Sequence, residues 1–168
     1  MERVTAFKVY DKGDELLGVV DATLPSVEAM SETVKGAGLA GEIDTPSVGL
    51  FGSMTLALNW RTAEKQAAKL NEPKTQELTL RGSIQDFDKA TGEYRHVPYK
   101  VYVKGQPKKL EGGKFEPGAS MDVPQEFEVI YVKKELDGVE TLELDKYNYI
   151  YRVNGVDYLA DIRTNLGM

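Results

Sequence analysis

The chain has 168 residues, enough for one domain with a real core, and its 41% apolar and 29% charged residues match an ordinary globular domain. Its net charge of −6 argues against a nucleic-acid surface as the main activity, since gripping a phosphate backbone needs clustered Lys and Arg. The lack of cysteine excludes disulfides, thiolate metal sites and cysteine nucleophiles.

Met1-Glu2-Arg3-Val4-Thr5 lacks the basic and apolar regions of a signal peptide, and no apolar run reaches membrane-spanning length, so cytosolic synthesis is expected. Residues 4–10 alternate as a strand, 11–14 form a turn, and 16–24 form a second strand closed by Pro25, together a hairpin. Residues 27–34 are a weaker, polar strand. Lys35-Gly36-Ala37-Gly38-Leu39-Ala40-Gly41 then spells G-x-G-x-x-G, the dinucleotide fingerprint. That fingerprint holds a pyrophosphate only where a helix begins inside it. Pro46 and Gly49 fall where such a helix would propagate, and no amphipathic period follows. The segment 35–49 is therefore expected to be a long extended loop.

Met54, Leu56, Leu58 and Trp60 alternate with Thr55, Ala57 and Asn59, the clearest half-buried strand in the chain. Thr62 is expected to cap a short helix whose apolar stripe is Ala63, Ala67 and Leu70, ended by Asn71 and Pro73. Residues 77–87 and 94–104 predict two long strands around a turn at 90–92. A variable loop is expected at 105–120. Phe127, Val129 and Tyr131 mark one face of the next strand, Asp137-Gly138 a tight hairpin, and 139–145 its partner. The run Tyr147–Tyr151 continues as strand or bends. Asn154-Gly155 turns, and 156–165 has room for a last short helix. The pattern is mainly β in a single domain over 1–168, a sandwich or barrel with one flanking helix.

Candidate chemistry is sparse. His96 has no recognisable nucleophile or orienting acid and reads as a surface residue. Asp86 and Asp88 share a strand face, a spacing that suits metal binding or acid–base work, yet a polar pair flanking a turn is the plainer reading. No catalytic site, cofactor or metal is expected. The nine tyrosines suit partly wet interfaces, and long strands with few edge prolines favour self-assembly.

The glycine segment from Lys35 to Gly41, the Pro46 spacer and the strand ending Leu58-Asn59-Trp60 resemble the major tail tube protein of contractile-tailed bacteriophages. So do the ending Val153-Asn154-Gly155-Val156-Asp157-Tyr158-Leu159 with Ile162–Met168, and the Leu24-Pro25 step. The resemblance spans essentially the whole chain. It implies a β-barrel-like sandwich whose subunits form hexameric rings, stacked as the hollow inner tube of a tail, as also in related bacteriocin particles. The implied partners are other copies of the chain, the sheath, tape measure protein, baseplate hub and tail terminator, with DNA crossing the lumen unbound. The implied location is the virion tail or a phage-tail-like particle, after synthesis in the host cytoplasm. On that analogy Gly36, Ala37, Gly38, Leu39, Ala40, Gly41 and Ile43 reach the next ring, and Asn154, Asp157, Arg163 and Asn165 sit at subunit contacts. The rival reading from the residues alone is a monomeric β-sandwich ligand-binding module with the tyrosines as platform.

Overall fold

A computed structural model describes residues 1–168. Twelve strands and two six-residue helices follow one another. The strands are β1 (Arg3–Asp11), β2 (Asp14–Glu15), β3 (Val19–Thr23), β4 (Ala29–Lys35), β5 (Glu42–Phe51) and β6 (Thr55–Trp60). After helix α1 (Lys65–Leu70) come β7 (Gln76–Asp88), β8 (Glu93–Leu110), β9 (Val123–Leu136), β10 (Val139–Asp145), β11 (Ile150–Val153) and β12 (Val156–Asp157), then helix α2 (Ala160–Asn165). The main sheet is antiparallel, in the order β12-β11-β10-β9-β8-β7-β1-β2.

One strand forks this sheet. Along the same edge of β9, residues 123–128 pair with β6 and residues 131–136 with β10. Ile130 is the extra residue at the fork, because Lys104 faces Tyr131 while Gly105 faces Val129. Such a bulge bends the strand and increases its twist. Gly105 makes the bend possible: a Cβ there would lie 3.0 Å from the Glu128 carbonyl oxygen. The β3–β6 branch and α1 then pack against the β1-β7-β8 branch. One core results, drawing Val9, Leu56, Trp60, Leu70, Leu80, Val101, Phe127 and Leu144 from seven different elements.

A buried polar link fastens the branch. Trp60 Nε1–H donates to Gln125 Oε1 at 2.9 Å, and Gln125 Nε2–H donates to the Ala67 carbonyl at 3.0 Å. Both side chains are fully buried. Losing Gln125 would strand one donor and one acceptor, each costing roughly 1–3 kcal/mol.

Several expectations change. Residues 16–24 do not form a hairpin with the first strand beyond Asp14 and Glu15, because β3 leaves for the other branch and pairs with β6. Thr62 is not the cap of α1: Glu64 precedes the helix, and the Thr62 hydroxyl donates to its carboxylate. The loop expected at 105–120 begins only after Leu110, because β8 continues along β9. The bulge at Ile130 flips the parity of β9, so Val132, not Tyr131, follows Phe127 and Val129 into the core. Strand β11 starts only at Ile150, and α2 is a second helix.

Candidate functional site

The segment read as a loop at 35–49 is a hairpin arm. β4 and β5 form a two-stranded sheet of their own, apart from the main sheet. Only the turn Gly36–Gly41 is irregular, and a β-carbon added at Gly36, Gly38 or Gly41 would meet open space. No helix follows the glycines, so they cradle no phosphate. The strand at 42–51 escapes sequence reading because Pro46 and Gly49 interrupt it and almost all of it faces solvent. Its β-branched residues Ile43, Thr45 and Val48 were the available signal.

The two faces of the arm differ. On one, Lys35 pairs with Glu42 at 3.6 Å and the Thr33 hydroxyl donates to Asp44 at 2.8 Å. On the other, Val34 stands opposite Ile43, and Glu32 opposite Thr45, with Met30 beyond. Val34 and Ile43 keep 44% and 52% of their surface exposed, although they are the arm's own apolar pair. A lone two-stranded hairpin is marginally stable in water, and an exposed apolar row on it is a docking surface in search of a partner.

The arm's root is firm. Three extra residues between Pro46 and Phe51 break its register opposite Met30. Within that break Gly49 has φ +80°, and a side chain there would overlap Leu159. Phe51 packs edge-on against Tyr151, their ring centres 4.8 Å apart, and Tyr151 in turn lies 5.9 Å from Tyr158. Lys146 Nζ donates to the Gly52 carbonyl at 2.7 Å. The C-terminal segment therefore packs against the root of the arm.

Two of the four C-terminal candidates meet. The Arg163 guanidinium bonds both Asp157 carboxylate oxygens and donates to the Tyr149 carbonyl at 2.7 Å. Asp157 also accepts from the Leu159 N–H at 3.1 Å, and the Arg163 guanidinium chiefly holds its carboxyl below the usual Asp range. This clasp holds α2 against the turn before it. Asn154 takes φ +50° in the tight turn between β11 and β12, a role asparagine tolerates well. Asn165 ends α2, exposed. Neither joins the clasp. The glycine turn and Ile43 lie at the far end of the arm from its root.

The remaining candidates have structural roles. Asp86 is held below the usual carboxylate range by the terminal ammonium at 2.7 Å and Arg95 at 3.1 Å. Asp88 caps its turn through the Ala90 N–H. His96 is exposed opposite Gln85. On the sheet's solvent face, Lys104 lies over Tyr131 at 5.2 Å and Lys133 over Tyr102 at 5.8 Å, so these tyrosines serve as platforms for cations. Sequence reading missed Met30, Val34 and Leu159, whose importance depends on the arm existing as a hairpin with a packed root.

Comparison with known proteins gives three findings. A family model described as phage tail tube protein FII matches residues 1–167. The tail tube protein of Escherichia phage P2 is 27% identical over 173 residues, covering 99% of this chain and 97% of that protein. Two chains from cryo-EM structures of an extracellular contractile injection system in its extended state share the fold, each with a TM-score of 0.54 and 12% identity over 80% of this chain. One is from the PVC sheath/tube terminator, 96% of it covered, and the other from the sheath–tube complex, 91% covered.

Proposed function

This chain belongs to the phage tail tube protein FII family, and from that premise we propose that it builds the inner tube of a contractile tail or tail-like particle as stacked hexameric rings. The observation that carries the stacking is the arm, a protruding two-stranded hairpin with its apolar pair exposed and its root locked to the C-terminal segment. Ring closure gives the open strand edges a partner: residues 3–8 of β1 and the whole of β3 each pair on one side only. The arm then spans from ring to ring, with Gly36–Gly41 and Ile43 at the contact, while the clasp of Asp157 and Arg163 keeps the C-terminal segment at the arm's root.

The rest of the reading follows from a tube. The sheath wraps it, the tape measure protein fills it, and the baseplate hub and tail terminator close its ends. DNA passes through without specific binding, eased by a net charge of −6 that repels phosphate. No catalysis is required of such a subunit. Synthesis takes place in the host cytoplasm, and the assembled product is the virion tail.

Excision of Ala37–Thr45 separates folding from stacking. The shortened chain is expected to keep the fold of its main sheet and its melting temperature, because residues 37–45 contribute nothing to the main core, and to stop at single rings or monomers. Tube growth at the native rate by the shortened chain would refute the stacking role. A monomeric binding module, the rival reading, would bind a ligand saturably and remain monomeric with or without the arm.

A further inference from the structure

One end of the sheet's inner face is only partly covered: Val97 is buried there, but its neighbours toward β1 are not. Register places Val4 and Phe7 of β1, Ile84 of β7, Tyr99 of β8 and Leu136 of β9 on the same face as the buried Val9, Leu80 and Val101. Val4 nonetheless remains 61% exposed and Phe7 36%. Between this end and Ala22 and Leu24 lies an apolar hollow of about 140 Å³, flanked by the two strand edges that lack neighbours.

Arg81 also borders the hollow, but Lys134 is the one cation that register places on the apolar face itself. Lys134 stands directly opposite Val101, which lines the hollow, and opposite Leu142 on its other side. Directly opposed residues share a face, so its stem lies among apolar side chains. It forms no ion pair, and burial alone pushes its ammonium pKa down. The arm carries the complement. Its apolar face holds one carboxylate, Glu32, beside Val34, Ile43 and Met30, and Glu32 is likewise in no ion pair, whereas Glu42 and Asp44 on the opposite face are both engaged.

We propose that this hollow receives the arm of a second copy of the chain, with Val34 and Ile43 entering beside Phe7 and Tyr99 and the Glu32 carboxylate meeting Lys134. The inference rests on the tube reading and names the surface that the arm grips. An apolar surface of this size would admit many partners; the matched lone charges restrict it to one register, because a shifted arm would leave both unpaired in an apolar setting.

The test is a charge exchange combined with crosslinking. Lys134→Glu and Glu32→Lys are each expected to cut tube yield at least tenfold, and the double exchange to restore most of it. In tubes of otherwise native sequence, a photo-crosslinking amino acid in place of Val34 is expected to capture peptides containing Phe7 or Tyr99 of another copy. Native yields from both single variants, or crosslinks running to other peptides or to none, overturn the docking site and leave the tube reading standing. Failure of the native chain to form tubes under any condition overturns both. The crosslink decides the matter even where a charge variant fails to fold.

Discussion

The Glu140 and Glu143 carboxyls on β10 are the least comfortable side chains in the fold. Thr141 is an extra residue against β9, which brings both carboxyls to one face of β10. Burial first, then the hydrogen bond and charge of Glu140, raise the Glu143 carboxyl above its ordinary range, although Arg152 lies 3.2 Å away. One Glu140 oxygen is buried without a partner. A carboxyl whose folded pKa exceeds its unfolded value favours the folded state fully below the unfolded value, and that advantage is lost as pH rises through the folded one. Glu140→Gln removes the neighbouring charge and supplies a permanent donor. It is expected to raise the melting temperature at pH 7 and to raise it less at pH 4, where the Glu143 carboxyl, held above its ordinary range, is largely protonated. Thermal melts at the two pH values check this; an equal shift at both would show that packing, not charge, is responsible. The pair was not legible in the sequence, because strict alternation puts residues 140 and 143 on opposite faces and only the bulge unites them.

At the scale of elements, alternation served well wherever a strand has one dry face. Met54 to Trp60 and the faces of β7 and β8 read directly from their apolar residues, since burial on one side selects every second side chain. It failed where neither face is dry. β5 has no buried side chain to write a pattern, so Pro46 and Gly49 dominated and the arm was taken for a loop. Those two residues sit in or beside the register break that bends the arm's root. Gly49→Ala forces a side chain into Leu159 at a positive φ and is expected to destabilise the protein by more than about 1 kcal/mol. Hydrogen exchange should show the loss at the root of the arm and at α2 together. A loss confined to the arm would mean that Leu159 does not couple the two.

On the scale of the whole molecule, the mainly β class and the tube family were legible, the first from alternation and the second from the glycine segment and the ending Val153–Met168. The forked sheet was not. It depends on Ile130 and Gly105 at one bend, and no local pattern announces which edge of β9 accepts β6 and which accepts β10. The docking hollow was equally hidden, since it joins β1 and β3, two strands that sequence reading paired with each other. Their failure to pair is what leaves two open edges and an apolar gap between them. A molecule with a marginal arm, open strand edges and a partly uncovered apolar end has surfaces left without partners as a monomer, and the proposed polymer would cover every one of them. Electron microscopy of the purified native chain at rising concentration tests that claim most directly. Hollow tubes of stacked rings are the expected result, whereas isolated monomers at every concentration, with the arm still extended in solvent, would contradict it.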